Sequence, residues 1–211
     1  GLGHDIAIDK SASASADADA LSEADTTMAA VTLDSAGKIL NVKIDMVQPQ
    51  ISFDTKGQLV TDITQPVKTK VELGDEYGMK KASGIGKEWY EQIASLEDWM
   101  VGKTIEEVMG MKLSAEGTPD EADLTSSVTV HVSPYLAAVK QAVDNAKDFG
   151  ADVTGSTKTG VGSVTSLAKS TSATADADAL AESDVVMAAV TVDESNKIVG
   201  VMIDMGQVKV N

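Results

Sequence analysis

Apolar and polar positions alternate with a period of two in several blocks of this chain and switch to a helical period between them. Residues 26–34 and 39–45 read as two strands joined by Ser35-Ala36-Gly37-Lys38, a turn with the glycine that a hairpin favours. Residues 185–193 and 198–204 give the same reading around Glu194-Ser195-Asn196-Lys197. Residues 51–54, a turn at 55–57 and residues 58–63 predict a further hairpin. Between these blocks, Trp89, Ile93, Leu96 and Met100 form one stripe of a helix over 87–101 that Gly102 ends. Thr104-Ile105-Glu106-Glu107 is a capping box that opens a short helix through Met109. Ahead of both lies a glycine-punctuated loop, residues 73–86, holding Tyr77, Met79 and the pair Lys80-Lys81.

The two strand blocks are copies of each other. Residues 10–46 and 169–205 align without gaps at a constant offset of 159, and about two-thirds of the positions are identical. Gly1 and Gly3 fall on Gly160 and Gly162 at the same offset, while Asn211 falls just before the equivalent of Phe53. One unit recurring at this distance does not make a solenoid. It leaves tandem domains, or two matching halves of one fold with the middle segment between them. Each copy is a hairpin behind an Ala/Asp/Ser lead-in, and an isolated hairpin is marginal in water. The expectation is therefore that the copies pack together about a pseudo-two-fold axis. Because the lead-in (residues 11–20) itself recurs, it is expected as an ordered edge strand or extended arm.

Residues 127–132 again alternate small or polar residues with valine, predicting a strand with Ser127, Thr129 and His131 on one face. Ser133-Pro134 then reads as an N-cap and first helical residue, with Leu136, Val139, Val143 and Ala146 on the apolar face of the helix that follows. Hydroxyls and a histidine leading into a helix N-terminus suit a small anionic group.

Asp123, Ser126 and Thr129 also carry a likeness. This stretch resembles the end of bacterial FMN-binding domains, found in flavin subunits of ion-pumping oxidoreductases and in surface electron-transfer lipoproteins. Their motif runs Asp, two variable residues, Ser or Thr, Gly, Ala, Thr, before a helix rich in Ala and Val. Here Ser127 stands for the glycine and Val128 for the alanine, and a glycine would allow closer approach of backbone to a ligand. The resemblance implies FMN as cofactor, joined by a phosphoester to Thr129, with Asp123, Ser126, Ser127, His131 and Tyr77 around it. It also implies an extracytoplasmic or cell-surface location and an electron carrier. The departures at 127 and 128 leave a second reading: a ligand-binding or structural surface module that keeps the fold without flavin.

Composition narrows the chemistry. The formal charge is -16 and every one of the 17 basic residues is lysine, so the basic footprint and arginine forks of nucleic-acid binding are absent. Any phosphate must be held by lysine, hydroxyls, backbone N–H groups or a covalent bond. No cysteine is present, which excludes thiol catalysis and thiolate metal sites. No apolar run approaches the length of a membrane helix. Ser127 and His131, four residues apart on a strand, would stand about 13 Å apart, too far for a catalytic pair. The chain therefore reads as an α+β protein, with antiparallel sheets built from two related hairpin copies (1–60 and 160–211). A helical insert (74–112) lies on one side, a strand–helix motif covers 123–147, and all of it forms a single domain, 1–211. A carrier or binding module fits this pattern better than an enzyme, with a redox partner or a small-molecule ligand.

Overall fold

The computed structural model describes residues 1–211. It is α+β: three antiparallel sheets and four α-helices. Strands β1 (Leu2–Ala7), β3 (Asp25–Leu33) and β4 (Ile39–Val47) form one sheet in the order β1-β3-β4. The short strands β2 (Ala20–Glu23) and β5 (Gln50–Phe53) pair with each other, and β6 (Thr157–Ser166), β7 (Ala181–Asp193) and β8 (Ile198–Val210) form the third sheet. Between β5 and β6 lie α1 (Lys70–Leu73), α2 (Trp89–Met100), α3 (Ile105–Met109) and α4 (Ser133–Phe149).

Both hairpins of the repeat form, and the same device closes them. The Asp34 carboxylate accepts the backbone N–H groups of Ala36 and Lys38, each at 2.8 Å. In the second copy Asp193 accepts those of Ser195 and Lys197 at 2.8 and 2.9 Å. Asp54 repeats the device with Lys56 and Gln58. There the return limb is only a bridge from Phe53 to Leu59, so the third hairpin is shorter than the pattern suggests. The lead-ins are extended arms that fold back through a turn, Ala12 bridging Leu21 and Thr171 bridging Leu180.

The two large sheets pack face to face. β1 contacts β8, β3 contacts β7 and β4 contacts β6, the order that a pseudo-two-fold axis between equivalent strands produces. The inner layer uses matched residues from each copy: Met28 and Ala30 meet Met187 and Ala189, joined by Leu2, Val47 and Val185. Thr32 and Thr159 share a buried hydroxyl–hydroxyl hydrogen bond of 2.6 Å across the seam. A second, smaller cluster ties Ile51 and Phe53 to Leu167 and Ala181.

The helices cover the other face of β1-β3-β4. Trp89, Ile93, Leu96 and Met100 are buried there as their spacing predicts, together with Tyr135, Ala138, Val139, Ala142 and Val143 of α4 and Ala29, Val42, Ile44 and Met46 of the sheet. The Thr104–Glu107 capping box is present in both directions. The layers therefore run helices, first sheet, second sheet.

One expected element is absent. Residues 127–132 form no strand; residues 122–127 are turns, 128–132 are irregular, and α4 then begins with Val132 as its N-cap and Ser133 as its first residue. The backbone N–H groups of Thr125, Val128 and Leu136 bond to the carbonyls of Glu121, Leu124 and Val132, each four residues back. Leu124, Val128 and Val132 are all buried in the main core. The valines follow a spacing of four, and Val130, which made the pattern look like alternation, is only partly buried.

Candidate functional site

With no strand to align them, the residues singled out around Thr129 separate. Asp123 and Ser126 are exposed on the turn segment. The Ser127 hydroxyl donates to the Leu124 carbonyl at 3.2 Å. Exposed His131 lies against Gly117: a β-carbon there would come 2.1 Å from its Cδ2, and the Val132 N–H donates to the Gly117 carbonyl at 3.0 Å. No hydrogen bond joins Asp123, Ser127 and His131. Val128 is 1% exposed, so the segment is pinned to the core at the position where the FMN-binding motif has alanine.

Thr129 is placed differently from its neighbours. It is exposed, and its backbone N–H and its hydroxyl both donate to Gln92 Oε1, at 2.9 and 3.3 Å. Gln92 is 0% exposed and lies on α2. Its Nε2 reaches the other way, to Ser83 Oγ at 3.2 Å, the Lys87 carbonyl at 3.3 Å and Met79 Sδ at 3.6 Å. One buried amide thus ties Thr129 to the 79–87 loop. That loop is also held by Glu88, whose buried carboxylate accepts the N–H groups of Met79 and Lys80 at 2.8 and 3.1 Å. Lys80 and Lys81 are exposed and Lys87 half-buried, and none of the three enters an ion pair within 4 Å. The loop thus carries three lysines whose ammonium groups enter no ion pair, and Gln92 contacts one of them, Lys87, at its backbone carbonyl. An exposed threonine joined through Gln92 to a loop that carries unpaired lysines suits a phosphate group. Three surface clefts, of about 750, 400 and 240 Å³, have other linings and border neither Thr129 nor Tyr77.

Tyr77 belongs to a separate polar cluster beneath the first sheet's edge. Its hydroxyl donates to Gln48 Oε1 at 3.3 Å, and Gln48 Nε2 donates to Asp25 at 2.7 Å. Lys10 Nζ reaches Asp25 at 2.5 Å and Glu23 at 3.1 Å, and both carboxylates are buried. Lys70, at 6% exposure, places its ammonium 4.6 Å from the Tyr77 ring centroid and 5.4 Å from that of Trp89. No carboxylate lies within 4 Å of it. Burial pushes its pKa down to about 8, against the attraction of Asp25. Behind it, the Trp89 indole donates to the Tyr135 hydroxyl at 2.8 Å, and burial pushes the Tyr135 phenol up to about 12. Burial opposes the charge on Lys10 too, yet its hydrogen bonds to Asp25 and Glu23 hold its pKa above the ordinary lysine value.

Half of this cluster exists twice. Lys169 reaches Glu182 at 3.0 Å and Asp184 at 2.6 Å, and Gln207 donates to the same two carboxylates. These are Lys10, Glu23, Asp25 and Gln48 moved by the repeat offset. Lys70, Gln92 and the Lys10 cluster escaped the reading of local patterns, since their members come from distant segments. The signal for four of them was nevertheless present, because the repeat keeps both acids, the lysine and the glutamine together.

Comparison with known proteins gives a partial match. Over 94 residues the chain is 35% identical to the chlorophenol reductase of Desulfitobacterium hafniense, a stretch that covers 39% of this chain and 28% of the reductase. The chain is thus similar, over part of its length, to an oxidoreductase, and spans less than a third of that relative. No family model matches, and no solved structure matches.

Proposed function

We propose that this chain is an FMN-binding-like carrier module of an extracytoplasmic redox system, with FMN attached through its phosphate to Thr129. The observation that carries the reading is Thr129: an exposed residue whose hydroxyl is held by a buried amide and tied through that amide to a loop with three unpaired lysines. Lysine charge would offset the single negative charge of the phosphodiester in a chain of net charge -16 without arginine. A covalent bond removes the need for a tight pocket. When attached, FMN supplies the electron-accepting and electron-donating chemistry. The protein's part would be to hold Thr129 by its backbone N–H, which still donates to Gln92 when the hydroxyl proton is gone, to offset the phosphate charge with Lys80, Lys81 and Lys87, and to present the flavin to a redox partner. The partial similarity to a reductase is in keeping with such a role.

The test is intact mass and visible spectrum after co-expression with a bacterial flavin transferase, which would break the diphosphate of FAD, join the FMN phosphorus to Thr129 Oγ1 and release AMP and the hydroxyl proton. The expected result is a gain of one FMN-phosphoryl unit and yellow colour, both lost in Thr129→Ala and kept in Ser126→Ala. An unmodified mass overturns the proposal. The reading as a module without flavin has one observation in its favour: Val128 is locked in the core where the motif has a smaller residue. On that reading, FMN supplied to the unmodified protein leaves its melting temperature unchanged.

A further inference from the structure

The outer faces of the two large sheets present the same rows of residues. On the first sheet the rows are Gly1–Val31–Val42, Gly3–Ala29–Ile44 and Asp5–Thr27–Met46. On the second they are Gly160–Val190–Val201, Gly162–Ala188–Ile203 and Val164–Val186–Met205. The first face is the seat of α4. A β-carbon at Gly3 would stand 2.3 Å from both the Ala138 carbonyl oxygen and the Ala142 nitrogen, and one at Gly1 would stand 1.9 Å from the Ala142 oxygen. The helix backbone therefore lies directly on these glycines, and the alanines at 138, 142 and 146 let it approach.

The second face is bare. A β-carbon at Gly160 or Gly162 would meet nothing within 4 Å. Ile203 is 70% exposed where its counterpart Ile44 is 2% exposed, and Val164, Val186, Ile198, Val201 and Met205 are exposed around it. A solvated sheet face calls for polar residues, and glycine in a strand weakens it unless another backbone comes close. This face has valine, isoleucine and methionine, together with the two glycines. It is in fact more apolar than its covered twin, with Val164 for Asp5 and Val186 for Thr27.

We propose that the outer face of β6-β7-β8 is a docking face for an amphipathic α-helix of the α4 pattern, with alanines at i, i+4 and i+8 seated over Gly160 and Gly162, supplied by polypeptide outside residues 1–211. The glycines decide for a helix over a second copy of the sheet. Two stacked sheets pack by interdigitating side chains from both faces, whereas an empty strip along β6, walled by the side chains of β7 and β8, is the trough that a helix backbone fills on the first sheet.

The chain has no cysteine, so a thiol introduced by Ile203→Cys reports directly on this face. Residues 53–150 are appended after Asn211, which supplies the second sheet with a helical segment in the register the first one uses. In the 211-residue chain the thiol reacts rapidly with maleimide at any protein concentration. In the extended chain, reaction slows by at least roughly tenfold, because a covered site reacts only through local opening, and helical circular dichroism rises. Gly160→Leu with Gly162→Leu restores rapid labelling in the extended chain. Labelling as fast as in the parent, or an appended segment that stays non-helical, overturns the proposal. So does protection that persists with both leucines. Protection of the 211-residue chain that grows with concentration alongside a dimer mass identifies a second copy as the occupant instead.

Discussion

The two copies of the repeat share a pattern and differ in what lies over it. Ile44 and Ile203, Met46 and Met205, Val42 and Val201 hold equivalent places in equivalent strands; the first of each pair is buried under helices and the second is exposed. The polar knot of lysine, two acids and glutamine is built in both copies. Only the first copy sets a buried lysine and aromatic rings beside it. A strand pattern therefore specifies the hairpin and its inner face, while the fate of the outer face is decided by a different segment of chain.

That comparison is sharpest in the core. Trp89→Ala should cost about 3–5 kcal/mol, since it empties a fully buried site and orphans the Tyr135 hydroxyl. Ile203→Ala, on the exposed face, should shift stability by less than about 0.5 kcal/mol. Urea midpoints of the two variants check both figures, and a comparable loss at the two sites would mean that the second sheet is already covered in solution.

The lysine found only beside the first knot gives a pH signature. With its pKa pushed down to about 8 in the fold against 10.5 in the unfolded chain, Lys70 is charged in both states below pH 8, where the fold bears the whole cost of burying the charge. Between pH 8 and 10.5 the folded lysine has released its proton while the unfolded one still holds it, so stability climbs with pH. The rise from pH 8 to 10 should be about 2–3 kcal/mol, because each pH unit over which the two states differ by one bound proton is worth about 1.36 kcal/mol. Above pH 10 the Tyr135 phenol, held up to about 12 by burial, works in the opposite direction, because the unfolded tyrosine ionises first. Chemical denaturation across pH 8–10 should show the climb in the parent protein and little of it in Lys70→Met, because the buried Gly1 amine, pushed down to about 6, adds its own climb mainly below pH 8. A climb that survives the substitution assigns it to another group.

Glycine offers a third contrast. Gly3→Ala should cost about 1–3 kcal/mol, because its β-carbon meets helix backbone rather than a movable side chain. Gly162→Ala has open space and should be neutral or stabilising by up to about 1 kcal/mol. The smallest effect is expected at the turns. Asn196 has a positive φ of 60°, where the first copy has Gly37, so Asn196→Gly should move the melting temperature by no more than about a few degrees.

The hairpins, the α2 stripe and the capping box were legible in the sequence because each is written in neighbouring residues. The segment around Thr129 misled because Val128, Val130 and Val132 satisfy two periods at once. With no strand beside it to accept a ladder, the spacing of four through Leu124, Val128, Val132 and Leu136 decided the outcome. Lys70 was invisible for a further reason. Its surroundings come from the Tyr77 and Trp89 rings, with the charge of Asp25 acting on it, residues brought together only when the first sheet meets α1 and α2.

The seating of α4 on β1 also sets a clock. Strands β1, β3 and β4 are complete by Val47, whereas the helix that covers them ends at Phe149. At roughly 5–20 residues per second of synthesis, the first sheet waits on the order of 5–20 seconds for its cover. During that interval the nascent chain exposes Gly3, Ala29 and Ile44, the counterparts of what Gly162, Ala188 and Ile203 expose in the folded structure of residues 1–211. The second sheet thus preserves, at equilibrium, a stage that the first passes through once during synthesis.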